Sequence, residues 1–171
     1  MRGKSAVIGG VALALGSIVL LSLWWGLQHA ALSNPPVLGR SAPELAIQPA
    51  SGDQVRLSAL RGKAVVLNFW ASWCEPCVQE GTVLAGGATA HPSIAFVGAD
   101  NRDTDSAFQS FETAHPHPYP AGPIVSGSYQ SYGVAGLPST FFIDAQGVVV
   151  ASFTGPLTTS LLDHYLKLVA P

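Results

Sequence analysis

The chain has 171 residues, enough for one ordinary domain with some additional sequence. Hydrophobic residues make up 48% of it, which argues against a disordered chain. Eight basic residues face ten acidic ones and form no basic stripe, so nucleic-acid binding is not expected. Two cysteines are too few for a disulfide scaffold, so their function has to be inferred from where they lie in the sequence.

The N-terminal segment has the pattern of a membrane anchor. Residues 5–27 carry no formal charge, and a helix of that length covers roughly 34 Å, against about 30 Å for the hydrocarbon core of a bilayer. Arg2 and Lys4 precede the segment, and no Lys or Arg follows it until Arg40. The positive-inside rule then places the N-terminus in the cytoplasm and the rest of the chain outside.

A cleaved signal peptide is the alternative interpretation of this segment. Its apolar stretch would be about 7–15 residues long and would end in a small-x-small site. The stretch here is longer, and residues 28–32 are a poor cleavage sequence. We therefore expect an anchor over residues 1–28, a tether over 29–43 and an exported domain over 44–171. This predicts a single-pass protein of the bacterial cytoplasmic membrane, with its domain on the extracytoplasmic side.

The exported part alternates predicted strands and helices. The predicted strands are residues 45–47 and 55–57 as a hairpin, then 64–69, 94–99, 140–143 and 148–150. Ser58 is predicted to cap a short helical turn. One helix is expected from Cys74 to Gly86 and Gly87, one after Asp103 and Thr104, and one with a buried stripe of Leu161, Leu162, Tyr165, Leu166 and Val169. This order predicts an α/β fold, a mixed sheet with helices on both faces.

The two cysteines stand at Cys74 and Cys77, directly after the most apolar strand and at the start of a predicted helix. Unpaired N–H groups and the helix dipole favour the thiolate form of Cys74 at that end. Cys77, one turn further, would be shielded and placed to resolve a mixed disulfide. Pro76 suits the first turn, where its missing N–H costs nothing. The pattern predicts thiol–disulfide exchange.

Other uses of a Cys-x-x-Cys pair fit less well. A structural disulfide this short constrains little of the chain. Haem attachment needs His after the second cysteine, where this chain has Val78, and a thiol peroxidase needs Thr where it has Ala71. A copper carrier would have a wider cysteine spacing. Zinc would need two more ligands, for which the loop residues His115 and His117 are candidates, although solvent-exposed side chains are the better interpretation. We expect no metal and no cofactor beyond the cysteine pair.

Two motifs give a family resemblance. Residues 68–77, NFWASWCEPC, and residues 132–144, YGVAGLPSTFFID, resemble the thioredoxin superfamily and, more closely, its membrane-anchored TlpA/ResA/CcmG-type proteins. The resemblance extends from about Ala42 to Leu168. It implies a thioredoxin-like fold, in which a mixed central sheet is flanked by helices, with an N-terminal β-hairpin extension.

The resemblance also implies roles for single residues. Cys74 would be the attacking thiol and Cys77 the resolving one. Pro138 would be cis and would face the pair. Leu137 and Ser139 would line the groove where a substrate chain adds as an extended strand.

The resemblance further draws attention to the acidic residues near the cysteines. Cytoplasmic thioredoxins carry a buried Asp where this chain has Asn68, whereas the TlpA/ResA group usually has Asn there and often a Glu at the position of Glu80. Glu80 is therefore the candidate to accept the proton of Cys77, with a solvated surface residue as the alternative. Glu75, which lies with Trp73 and Pro76 around the cysteines, either tunes thiol reactivity and partner choice or is simply exposed.

The function implied by the resemblance is reduction of disulfides in exported proteins, with apocytochrome c as the implied client. A membrane thiol reductase of the CcdA/DsbD type would supply electrons. Two alternatives stay open from the sequence: an oxidant or general disulfide-handling protein, and a non-enzymatic metal-binding assembly factor.

Overall fold

The structure is a computed structural model that describes residues 15–22, 37–50 and 52–169. The chain divides into two units, Met1–Asn34 and Pro35–Pro171. In the first unit residues 15–22 are helical and expose Leu15, Ile18, Val19, Leu20 and Leu21. The rest of the predicted span lies outside the described residues. Among the described residues, no helix combines the length and apolarity needed to cross a membrane.

The second unit is built on a seven-stranded sheet. Its strands are β1 (Ala46–Ile47), β2 (Val55–Arg56), β3 (Val65–Trp70), β4 (Ala95–Asp100), β5 (Ala121–Ser126), β6 (Ser139–Ile143) and β7 (Val149–Thr154). They lie in the order β2-β1-β5-β4-β3-β6-β7. The pairs β3–β4 and β4–β5 are parallel and the other four are antiparallel, so the predicted mixed sheet and N-terminal hairpin are confirmed.

Three α-helices and two short 3-10 helices surround the sheet. They are α1 (Glu75–Ala90), α2 (Asp105–Ala114) and α3 (Thr159–Val169), with 3-10 helices at Leu57–Leu60 and Tyr129–Tyr132.

The two faces of the sheet are covered differently. Strand β3 is buried along its whole length, and its side chains alternate between the faces. Val66 and Trp70 pack towards α1, α2 and α3. Leu67 and Phe69 pack on the other face, against the 3-10 helices and residues 37–45. The expectation of helices on both faces is therefore corrected: within the described residues the α-helices all pack on one face.

Two helix boundaries differ from the prediction. Helix α1 continues past its glycines to Ala90. Gly87 allows close packing on α3 and does not end the helix, since a Cβ there would lie 2.5 Å from Cδ2 of Leu162. Ser58 lies inside its 3-10 helix and does not cap it. Its N–H and its hydroxyl instead donate to the carboxylate of Glu44, over 3.2 and 2.9 Å.

Strand β5 is the element that the sequence did not predict. Its segment begins with Ala121, Gly122 and Pro123, a composition typical of a turn. Pro123 is tolerated because it is paired with Asp100 at the last position of the β4–β5 ladder. Gly122 is required by the close approach of the Gln48 carbonyl group. The strand joins the N-terminal hairpin to the central sheet.

Part of the predicted tether lies against this unit. Val37 is buried in the core. The N–H of Gly39 donates to the carbonyl of Val149 and that of Ala42 to Gly147, both over 2.8 Å. Residues from 37 onwards are therefore held to the edge of the sheet.

Candidate active site

The two cysteines form a disulfide at the N-terminus of α1, with their Cα atoms 5.2 Å apart. Cys74 is the N-cap residue and Cys77 is the third residue of the helix, after Pro76 in the first turn. The N–H groups of Cys77 and Val78 donate to the carbonyl of Cys74 over 2.9 and 3.1 Å. Both cysteines are buried against Trp70. The helix start thus holds the sulfur atoms together, as the spacing predicts.

Exposed side chains surround the pair. Trp73 is 64% exposed, the largest exposed aromatic side chain among the described residues. Glu75 and Pro76 are exposed as well, and the Glu75 carboxylate accepts from the amide of Gln79. The rim beside the disulfide is therefore exposed.

Glu80 lies one turn after Cys77 on the buried face of α1 and is only 2% exposed. The side-chain amide of Asn68 donates to its Oε1 over 2.8 Å, and the N–H of Leu157 donates to its Oε2 over 2.8 Å. The same Asn68 amide group also donates to Thr140 Oγ1, over 3.0 Å. Glu80 is therefore a held, buried carboxyl group, and the alternative of a solvated surface residue is wrong.

The environment of Glu80 favours its protonated form. Burial raises the pKa of Glu80 to about 7, against the opposing hydrogen bonds from Leu157 and Asn68. A carboxyl group with such a pKa exchanges its proton readily at neutral pH. Glu80 can therefore take up or release a proton beside Cys77.

The motif around Pro138 has the expected backbone. The Leu137–Pro138 peptide bond is cis. Leu137 is partly buried against the group that includes both cysteines. Ser139 is buried and its hydroxyl donates to the carbonyl of Gly136 over 2.7 Å. The predicted cis bond is confirmed, and Leu137 brings this loop to the cysteine pair.

The turn before Cys74 is held by Asp103, which lies near a second acidic residue, Asp100; the sequence did not single out either residue as part of a site. The N–H of Ser72 donates to Oδ2 of Asp103 over 2.8 Å. Asp103 was a candidate cap for α2, but Thr104 is the cap and accepts from the N–H of Ala107. Asp100 ends β4 and is 3% exposed. The sequence did contain a signal for Asp100, because it directly follows a predicted buried apolar strand.

Asp100 is buried beside a second carboxylate. Burial raises the pKa of Asp100 to about 7, helped by the negative charge of Asp103.

The two loop histidines differ from each other. His115 is exposed, as predicted. His117 is 12% exposed, with Nδ1 2.6 Å from Oε2 of Glu112 and its ring 4.7 Å from that of Trp70, so the prediction of a solvated side chain is wrong for it. His117 packs on the ring of Trp70, a contact that the alternation of His and Pro in the sequence does not predict. Within the described residues, no three His, Cys, Asp or Glu side chains form a group suited to a metal.

Comparison with known proteins gives the family. The AhpC/TSA family matches residues 38–152. The thiol-disulfide oxidoreductase ResA of Bacillus subtilis is 32% identical to this chain over 138 residues, which cover 78% of this chain and 76% of ResA. The chain belongs to the ResA-like thiol–disulfide oxidoreductases.

Further relatives agree with this membership. The thiol:disulfide interchange protein HelX of Rhodobacter capsulatus is 34% identical over 128 residues, 72% of each chain. The crystal structure of a thiol:disulfide interchange protein DsbE from Chlorobium tepidum superposes with a TM-score of 0.70, at 26% identity, over 77% of this chain and 96% of that one. This ResA-like protein is therefore an enzyme, a thiol–disulfide oxidoreductase with a thioredoxin-like fold.

Proposed function

We propose that this ResA-like oxidoreductase is an exported, membrane-tethered reductant that reduces disulfides in exported proteins, with apocytochrome c as a client. The Cys74 thiolate attacks one sulfur of the client disulfide and releases the other as a thiolate. Cys77 then attacks Cys74, which frees the second client sulfur and leaves the enzyme disulfide. Two electrons pass from the enzyme dithiol to the client.

The observation that carries this proposal is the position of Glu80, buried one helical turn after Cys77 and held by Asn68 and Leu157. Cys77 must lose a proton when it attacks. Glu80 is the nearby group with a pKa suited to take that proton at neutral pH. Cys74 needs no such help, because it lies at the helix N-terminus.

A client can approach over the rim formed by Trp73 and Leu137. Trp73 offers an exposed aromatic surface beside the disulfide. Among the described residues, the main-chain groups of Leu137 have no hydrogen-bond partner. An extended client segment can therefore pair with Leu137, next to the sulfur atoms.

The tether and the electron donor follow from the N-terminal segment. Residues 5–27 are uncharged, and the described part exposes five large apolar side chains. On the extracytoplasmic side no thioredoxin or glutathione pool regenerates dithiols. A membrane thiol reductase of the CcdA/DsbD type would therefore re-reduce Cys74 and Cys77.

The test uses the reduced full chain and an apocytochrome c peptide whose Cys-x-x-Cys-His cysteines are joined in a disulfide. We expect the wild type to reduce the peptide, Cys74→Ser to be inactive, and Cys77→Ser to accumulate a mixed disulfide with it. Asp163→Asn, on the exposed side of α3, is the control and should match the wild type. Net oxidation of the dithiol peptide by the wild type would contradict the proposal and favour an oxidant.

A further inference from the structure

Two carboxyl groups lie beneath the turn that leads to Cys74 and are not part of the exchange chemistry described above. Asp100 closes β4 and Asp103 follows it on the connection to α2. The negative charge of Asp103 acts on the carboxyl group of Asp100. Oδ2 of Asp103 accepts from the N–H of Ser72, two residues before Cys74, over 2.8 Å. The pair is thus connected to the active-site turn by a direct hydrogen bond.

If both groups were ionised, most of their oxygen atoms would lack a donor. Both carboxyl oxygens of Asp100 and Oδ1 of Asp103 are buried without a hydrogen-bond partner among the described residues. Buried acceptors without donors are costly. One proton placed between the two groups converts an acceptor into a donor and supplies the missing hydrogen bond.

The basic residue next to the pair in the sequence is engaged elsewhere. Arg102 lies between the two acids in the sequence, but its guanidinium lies over the ring of Tyr129, 5.2 Å from the centroid, and donates to the Tyr129 hydroxyl. Among the described residues, no Lys, Arg or His forms a salt bridge with Asp100 or Asp103. A proton is therefore the available positive charge for this pair.

Of the charged groups around Asp100, Asp103 is the one that acts on its carboxyl group. Trp70 is its neighbour on β3 and Pro123 its neighbour on β5. The helices on this face carry further titratable residues: Glu75, Cys77 and Glu80 on α1, Asp105 and Glu112 on α2, and Asp163, His164, Tyr165 and Lys167 on α3. Asp105, Asp163, His164 and Lys167 are exposed, and Glu112 is paired with His117.

We propose that Asp100 and Asp103 share one proton and act as a positioning pair, which fixes the turn before Cys74 and sets the negative charge beside it. With the proton bound, the pair carries one negative charge and leaves the thiolate of Cys74 favoured. Loss of the proton adds a second negative charge, which opposes the thiolate. By linkage, a thiolate at Cys74 in turn strengthens the hold of the pair on its proton.

The coupling to Cys74 rests on the proposed function, in which Cys74 forms a thiolate. The shared proton does not depend on that chemistry and can be tested separately. The probe is the amide resonance of Ser72 in the full chain, followed by NMR between about pH 5 and about pH 9. In the oxidised protein, which has no thiol, we expect this resonance to titrate with an inflection near neutral pH. Asp100→Asn should abolish the inflection, and Asp105→Asn, which removes an exposed carboxylate nearby, should leave it unchanged.

A second variant and a second redox state complete the test. Asp103→Asn keeps an acceptor for Ser72 but removes one charge, so the inflection should move to lower pH, and this variant decides the matter if Asp100→Asn does not fold. In the reduced wild type the pH midpoint of the Ser72 inflection should be higher than in the oxidised protein. A flat Ser72 resonance, or an inflection that survives both substitutions unchanged, overturns the shared proton. A midpoint that is equal in the two redox states overturns the coupling to Cys74 and leaves the proposed function standing.

Discussion

The two cysteines are each served by a buried carboxyl site, and the sites are built differently. Beside Cys77, Glu80 has a donor at each oxygen, from Asn68 and from Leu157. Near the turn before Cys74, Asp100 has no donor at either oxygen among the described residues, and a second carboxylate acts on it. Burial raises the pKa in both cases. Glu80 can lose its proton without losing a partner, whereas loss of the shared proton leaves both oxygens of Asp100 without a donor among the described residues.

The comparison teaches that one kind of pKa shift can serve two purposes. A carboxyl group with donors at both oxygens is stable in either protonation state, as a proton acceptor must be. In the acidic pair only Oδ2 of Asp103 has a donor, from Ser72, so the other oxygens depend on the shared proton, which suits a group that holds a loop in place.

The largest effect is expected from Glu80→Gln. General-base catalysis contributes about a hundredfold or more to such a step, so the rate at which Cys77 resolves the mixed disulfide should fall by about that factor at neutral pH. The measurement is stopped-flow reduction of a model disulfide by the full chain. Asp163→Asn is the matched control on an exposed surface. Resolution at the wild-type rate in Glu80→Gln would show that Glu80 is only structural.

A second prediction concerns stability and pH. The pKa of Glu80 is raised from 4.5 to about 7 in the folded state, so protonation favours folding. Its contribution is complete below about pH 4.5 and is lost as the pH rises through about 7, in total about 3 kcal/mol. Urea unfolding of the oxidised chain should therefore show a lower free energy of unfolding at about pH 8 than at about pH 5. Asp100 adds to the fall in the same window, because its pKa is raised too.

Substitutions separate the two contributions to this pH dependence. Glu80→Gln and Asp100→Asn should each flatten the curve in part, and the double variant should flatten it most. A free energy of unfolding that rises with pH across the window would contradict the raised pKa at both sites.

The smallest of these effects is expected from Asn68→Asp, which gives Glu80 the arrangement of the acidic pair. The substitution replaces a donor to Glu80 by a second carboxylate, so the pKa of Glu80 should rise further and its proton acceptance at neutral pH should weaken by about tenfold. The pH–rate profile of resolution should shift to higher pH. An unshifted profile would mean that Asn68 does not control Glu80. Thr140→Val, which removes the other partner of Asn68, serves as the control for local packing.

The parts that sequence predicted well are those defined by local pattern. Strand β3 is a continuous apolar run, and the cysteine spacing at the start of α1 requires only one helical turn. The burial of Glu80 was left open because it depends on a contact with Leu157, 77 residues away. No local pattern reveals which main-chain N–H will meet a side chain at that separation.

Other differences have the same origin in tertiary packing. Strand β5 was hidden by Gly122 and Pro123, whose place depends on neighbouring strands. In the sequence Gly87 looks like the end of a helix, but the reason for a glycine there is the close contact with Leu162. Asp100 is buried, and His117 packs on Trp70, through elements distant in the sequence, so neither position could be predicted from neighbouring residues alone.

The most direct test of the account is the equilibrium reduction potential of Cys74 and Cys77 in the full chain, measured against glutathione or a thioredoxin couple. For a reductant we expect a value close to that of thioredoxin, about −270 mV. A value close to about −120 mV, typical of a strong oxidant, would contradict it and make disulfide formation in exported proteins the better explanation.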